Sequence, residues 1–161
     1  MSSFNRRFLL ALPLTLAACG FTPVYAPGGT GAALQGKVTI VAPKSEEGYL
    51  ILRNLEERLG RAQANVYRLT LTPVLERQGQ AITEAGEITR FSIIGRVSYE
   101  LKLASDDSLL ASGTVQDFAG YSATGSTVET LAAESNALDR LMSSLADRVT
   151  ARIYTLADLP G

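Results

Sequence analysis

The sequence predicts an α+β protein with the element order β-α-β-β-β-α. We expect a two-layer sandwich in which two helices cover a mixed or antiparallel four-stranded sheet. Apolar and polar residues alternate along the middle of the chain, most clearly from Phe91 to Leu103. Apolar residues recur at helical spacing in two further segments, at about 46–59 and about 128–155. Strands that alternate bury one face, and two amphipathic helices are available to cover it.

The first predicted elements are a short strand and a helix. The β-rich run Lys37–Ala42 opens the predicted domain. Ser45 and the two glutamates that follow it are typical of a helix start, and Gly60 stands where that helix would end. The second strand is predicted over 66–75. Pro73 lacks an amide hydrogen and therefore indicates an edge or a bulge near its end.

The centre of the chain predicts a loop followed by the third strand. Residues 78–87 contain two glycines and many polar side chains, which predicts a long turn or a frayed hairpin tip. In the third strand, Ile94 and Gly95 interrupt the alternation and predict a bulge.

The last predicted elements are a hairpin turn, a fourth strand and the longest helix. Residues 105–108 have turn composition, and the fourth strand is predicted over 109–118. The run 126–129 has the pattern of a capping box that begins the last helix. We therefore expect one domain over residues 37–157. Its loops 78–87 and 120–125 are candidates for partner contact, because long loops on a rigid sandwich often carry function.

The N-terminal segment predicts a lipoprotein leader. Arg6 and Arg7 precede a short apolar run, and two alanines stand directly before Cys19, the sole cysteine of the chain. Residues 1–18 would be removed, and the thiolate of Cys19 would receive a diacylglyceryl group. Residues 19–36, rich in Gly and Pro, would form an extended tether. The alternatives are an ordinary secretory signal with an incidental cysteine, or a buried free cysteine near an unprocessed N-terminus.

Composition argues against nucleic-acid binding and against common catalytic chemistries. The formal net charge is −1, and without the leader's two arginines 13 basic residues face 16 acidic ones. The sequence has no histidine, the commonest general base and metal ligand. Glu84 and Glu87 lie in the predicted polar loop, and Asp106 and Asp107 have the spacing of a turn. We expect no enzyme, no cofactor and no metal site.

Four arginines are the candidate ligand contacts. A guanidinium group is a good fork for phosphate and carboxylate, so arginines on the exposed face of a sheet suit the head group of an anionic lipid. The alternative is that their charge provides solubility and protects the strand edges. The candidates lie on or beside the central strands: Arg68, Arg77, Arg90 and Arg96.

Several segments together resemble the LPS-assembly lipoprotein family LptE, in its alphaproteobacterial form. The opening Cys-Gly-Phe-Thr-Pro-Val-Tyr over 19–25 resembles the start of the mature family members. The central strand of the family is similar to 88–101 here. Its last strand is similar to 113–115, and its C-terminal helix to 133–137 and 145–149.

The resemblance implies the family's fold, which agrees with the predicted element order, and its function. Members are anchored by lipid in the outer membrane on its periplasmic side, and Gly20 after the cysteine implies outer-membrane sorting. They plug the lumen of the large β-barrel LptD, assist its assembly and contact lipopolysaccharide. Two other functions stay open: a stand-alone glycolipid-binding lipoprotein, and a tethered regulator of an envelope enzyme.

Overall fold

The predicted fold class and element order are confirmed, with one short helix in addition. The structure, a computed structural model, describes residues 24, 28–84, 86–157 and 159, without the Ile82 side chain. The leader and Cys19 lie outside the described residues. The elements are α1 (Thr30–Leu34), β1 (Val38–Val41), α2 (Glu46–Leu59), β2 (Tyr67–Ile82), β3 (Ile88–Leu103), β4 (Leu109–Ser122) and α3 (Thr127–Leu156).

The four strands form one mixed sheet in the order β1-β2-β3-β4. The short strand β1 runs parallel to β2, and the other neighbours are antiparallel. Pairing with β1 ends at Thr70, so one side of β2 is free from Leu71 onward. Pro73 lies in this free part, which confirms the edge position predicted for it, because a proline cannot donate to a second neighbour.

Local signals explain where the two long helices begin and end. The Ser45 hydroxyl accepts a hydrogen bond from the Gly48 amide at 3.3 Å, and Gly60 follows α2 with a φ of 76° that favours glycine. At the start of α3, the Ser126 hydroxyl accepts from the Glu129 amide at 3.3 Å. The Glu129 carboxylate accepts from the Ser126 amide at 2.7 Å, which completes the predicted capping box.

Both long helices pack on the same face of the sheet and form the core with it. The strands contribute alternate residues, and α3 contributes a stripe along its sheet-facing side. The helices also bind each other through ion pairs that join Arg53 to Asp139 and Arg58 to Asp147. The largest fully buried side chains are Leu34, Ile51, Leu55, Leu59, Leu69, Leu101, Leu141, Met142, Leu145, Ile153, Val38 and Val97.

The loop predicted over 78–87 is wrong for most of its length. Strands β2 and β3 continue as a two-stranded arm to Ile82 and Ile88, which leaves only 83–87 as the tip. Register shifts around Ala81 accommodate the irregular sequence. The arm was missed because the β2 side chains along it are exposed, so its sequence shows no buried face. Likewise β4 runs to Ser122, beyond its predicted end at Phe118.

The bulge predicted at Ile94 and Gly95 is also wrong. Gly95 pairs with Leu75 on one side and with Asp117 on the other, and the register is continuous through it. A Cβ atom at Gly95 would lie 2.7 Å from Leu145 Cδ1. The glycine therefore permits α3 to approach the sheet closely.

The last part of the predicted tether is helical. Helix α1 covers Thr30–Leu34, and the Leu34 side chain is fully buried in the core. The short sequence between Gly29 and Gln35 has no helical signal beyond its alanines, and its burial comes from tertiary packing.

Candidate interaction surfaces

One whole face of the sheet has no helix over it. We call this surface the open face; it consists of the outward side chains of β2, β3 and β4. Its central row joins Thr72, Ser98 and Thr114, with the two β3 and β4 hydroxyl oxygens 3.1 Å apart. A neighbouring row contains Arg96, whose guanidinium donates to Gln116 Oε1 at 3.1 Å. The open face is thus predominantly polar and satisfies many of its own hydrogen bonds.

The open face also carries a small apolar patch. Phe118 is 70% exposed and stands opposite Ile94 in the register, while Val74 on β2 is 58% exposed. Charges of both signs lie around it, including Glu76 beside Ile94. An exposed aromatic within a polar surface is a typical composition for a protein-contact surface.

Two of the four candidate arginines are engaged by carboxylates. Arg68 donates to Asp107 Oδ1 at 2.8 Å, at the end of the sheet where the 104–108 turn lies. Arg77 forms an ion pair with Glu134 of α3, on the helix side of the sheet. The structure therefore separates this pair: Arg68 lies at one end of the open face, opposite Lys102, and Arg77 lies on the helix side.

The other two candidates lie on β3 with the same parity. Arg90 and Arg96 are both exposed, and neither forms an ion pair with a described carboxylate. They lie six positions apart, which is about 20 Å along a strand. The four arginines thus do not form one cluster, and only this pair combines exposure with a free charge.

Sequence reasoning missed a polar network between β4 and α3. Asp117 accepts from Ser144, and from Arg148 Nε at 3.1 Å. Partial burial favours the neutral acid, but the donors from Ser144, the Phe118 amide and Arg148 outweigh it and lower the pKa of Asp117. The available signal was parity, since Asp117 occupies a helix-facing position between Val115 and Ala119, where an acid needs a partner.

The described residues contain neither a metal-binding cluster nor a spanning helix. No group of three or more His, Cys, Asp or Glu side chains among them is arranged to hold a metal ion. Helix α3 is long, but no helix in the described part of the chain combines the length and apolarity needed to cross a membrane.

Comparison with protein families finds one match that spans most of the domain. Residues 36–153 match the family model described as "LptE: Lipopolysaccharide-assembly". This range includes all four strands, α2 and all but the last three residues of α3. A search of curated proteins finds no significant match.

Solved structures of bacterial lipoproteins share the fold at low sequence identity. A protein described as a lipoprotein from Caulobacter crescentus has a TM-score of 0.67 at 19% identity, with 79% of this chain and 94% of that one covered. The minor lipoprotein of Acinetobacter baumannii has a TM-score of 0.57 at 17% identity, with 78% and 97% covered. The rare lipoprotein B of Shewanella oneidensis has a TM-score of 0.55 at 15% identity, with 74% of this chain and 94% of that one covered.

Proposed function

Because the chain belongs to the LptE lipopolysaccharide-assembly family, we propose that it is a lipid-anchored subunit that plugs and helps assemble an LptD-type β-barrel of the outer membrane. Cys19 is the proposed attachment site of the lipid, on the periplasmic side. The proposal assigns no catalytic activity to the chain.

The observation that supports the plug most directly is the open face. Large outer-membrane barrels have a polar interior, so a plug needs a polar surface that can exchange hydrogen bonds with the lumen wall. Hydroxyl, amide and charged side chains cover the open face over three strands, and Phe118 provides one apolar contact. The core lies entirely on the other side of the sheet, so this surface can change partners without unfolding the domain.

The proposal is tested by photo-cross-linking in cells from two opposite sides of the domain. One photoreactive residue replaces Ser98 on the open face, and another replaces Glu57 on the exposed side of α2. A plug is surrounded by its barrel, so both positions should cross-link to the same outer-membrane protein. A cross-link from neither position, together with recovery of no barrel protein from detergent-solubilised outer membrane, would remove the plug function.

A Cys19→Ala variant tests the anchor separately. We expect the variant, expressed without the barrel, to leave the membrane fraction, because it lacks the acyl chains that would hold it in lipid. Mass spectrometry of the wild-type product should show fatty chains on the Cys19 sulfur and no leader. A free thiol or a retained leader would contradict the anchor.

A second function, binding of an anionic glycolipid by the domain alone, is supported by one observation. Arg90 and Arg96 are exposed on one strand without a carboxylate partner among the described residues. This function predicts saturable binding of lipopolysaccharide that weakens with salt and is lost in the Arg90→Glu, Arg96→Glu double variant. Arg68→Glu is the matched control, since that guanidinium is already paired with Asp107.

A further inference from the structure

Strand β4 forms a long edge of the sheet that lacks the usual protection. It spans Leu109–Ser122, pairs with β3 on one side, and has no described strand on the other. Alternate amides and carbonyls of such an edge point away from the sheet, and most proteins blunt it with proline, lysine or a bulge. β4 contains neither residue type, and its one register shift lies at its start.

The other free edge of the same sheet is protected. Where β2 extends beyond β1, it carries Pro73, Glu76 and Arg77. The only charged side chain of β4 is Asp117, which turns inward to Ser144 and Arg148 and is 18% exposed. The edge is partly occupied, because Arg140 donates to the Gly120 carbonyl and Asp117 accepts from the Phe118 amide, so among the described residues its open part lies beside Thr114 and Gln116.

A groove runs beside this edge, between β4 and α3. Its volume is about 490 Å³. The floor includes small and apolar groups, and the helix side carries two guanidinium groups. The groove therefore offers a strand edge, an apolar floor and positive charge along one line. Six of its seven lining residues are Thr114, Val115, Gln116, Arg148, Ala151 and Arg152.

The charge in the groove is only partly neutralised. Arg148 Nε forms an ion pair with Asp117 Oδ2 at 3.1 Å, and the Arg148 side chain is still 53% exposed. Arg152 is exposed and has no carboxylate within ion-pair distance among the described residues. A ligand with a carboxylate would complete the pairing that the chain itself leaves unfilled.

We propose that an extended acidic segment of another protein binds in this groove, adds to β4 as a fifth strand, and places a carboxylate on Arg152. Main-chain hydrogen bonds to a sheet edge with side-chain selection beside it are an established mode of peptide recognition. This site goes beyond the proposed plug function, and it shares only Thr114 and Gln116 with the open face.

The chain's own segments fit the groove less well. A second copy that paired through β4 would offer only Asp117, which is already bound by Arg148. Residues 19–29 of the predicted tether contain no acidic residue. Charge complementarity therefore favours a different protein as the occupant.

The experiment selects random ten-residue peptides displayed on phage against the purified full chain. Enriched peptides should carry Asp or Glu at alternating positions and lack proline. The affinity of a fluorescent copy of the best peptide should fall by at least about tenfold in Arg152→Glu, the loss of one charge-assisted hydrogen bond. Arg61→Glu is the matched control, an exposed arginine just after α2 and outside the groove, and the affinity of this variant should stay within about twofold of wild type.

Backbone methylation tests whether the peptide binds as a strand. In a sheet, only every second amide of the added strand donates to β4. N-methylation of one alternate set of peptide amides should abolish binding, and methylation of the other set should preserve it. Hydrogen exchange of β4 amides should also slow when the unmodified peptide is present.

Several outcomes would overturn the proposal. They are no enriched peptide, equal affinity for wild type and Arg152→Glu, or equal effects of the two methylation sets. Protection of β4 amides that rises with protein concentration alone would assign the edge to a second copy. A gain in peptide affinity in Asp158→Asn would assign the groove to the chain's own C-terminal segment. None of these results depends on whether a barrel is recovered.

Discussion

The close approach of α3 to the sheet at Gly95 makes a quantitative prediction for Gly95→Val. Gly95 faces the helix, and a Cβ atom there would lie 2.7 Å from Leu145 Cδ1 and 3.1 Å from Leu141 Cδ2. Carbon atoms pack best at about 3.5–4.0 Å, so the first added atom already overlaps a methyl group by roughly 1 Å. Both contacts are the ends of leucine side chains, which can shift for one methyl but have little room for three.

The expected cost combines two opposing effects. Overpacking of a well-filled core costs about 1–3 kcal/mol. Replacement of a glycine stabilises the folded state by about 0.4–1 kcal/mol, because the unfolded chain has less conformational freedom without it. We therefore expect Gly95→Val to lower the free energy of unfolding by about 1–2 kcal/mol, and Gly95→Ala to have a much smaller effect.

Urea unfolding of the two variants and a matched control measures this cost. Gly120 on β4 is exposed, and its nearest atom to an added Cβ is the Phe91 carbonyl oxygen at 3.6 Å, an ordinary contact. Gly120→Val should therefore leave the midpoint unchanged or raise it, with the same m-value.

A double-mutant cycle identifies the cause. Leu145→Ala alone should cost about 2–5 kcal/mol, because it empties a fully buried site. Combined with Gly95→Val, the loss should be smaller than the sum of the single losses, since the valine fills the space. Additive losses, or a Gly95→Val variant as stable as wild type, would refute the packing argument.

Three further variants test the caps and polar networks. Ser126→Ala should lower the free energy of unfolding by about 1 kcal/mol in urea, because α3 loses its capping box. Asp117→Asn should be destabilised at neutral pH: the lowered pKa of Asp117 means that its ionised form stabilises the fold above the ordinary carboxyl pKa, and that this contribution is lost as pH falls from about 4 towards the lowered pKa of the folded state. The variant's urea midpoint should thus depend less on pH below about 4. Arg58→Ala should lower the free energy of unfolding by at least about 1 kcal/mol more than Arg53→Ala does. The reason is that Arg58 is 20% exposed and also donates to Asn54 and Ser143, whereas Arg53 is 44% exposed. Equal urea midpoints would contradict this.

The parts of the fold that local chemistry determines were predictable from the sequence. Helix α2 was predicted within its observed bounds because Ser45 and Gly60 mark its ends through contacts within a few residues. The start of α3 was predictable for the same reason. The alternation over Phe91–Leu103 is visible because one side of β3 is buried along that length.

The parts that depend on distant partners were not predictable. In the arm formed by the ends of β2 and β3, the β2 side chains are exposed, so the β2 sequence there does not alternate between buried and exposed residues. Pairing with β3 keeps this part of β2 in strand conformation. In the sequence, Gly95 resembles a bulge position. It is a glycine because α3, which follows much later in the chain, packs closely against it. The arginines could be placed on strands, but the pairing of Arg77 with Glu134 joins elements that the sequence does not relate.

The two proposed interaction surfaces rest on different groups of the sheet. The open face presents side chains such as Ser98 on the side of the sheet away from the helices, whereas the groove uses the β4 main chain and the α3 side chain of Arg152. Only Thr114 and Gln116 border both, and their side chains point to the open face while their backbone lies at the edge. A barrel that surrounds the domain can contact Ser98 without a hydrogen bond to the β4 main chain. Arg152→Glu should then lower the affinity for the peptide at least about tenfold and preserve the Ser98 cross-link, and loss of both in a folded variant would mean that the two surfaces form one site.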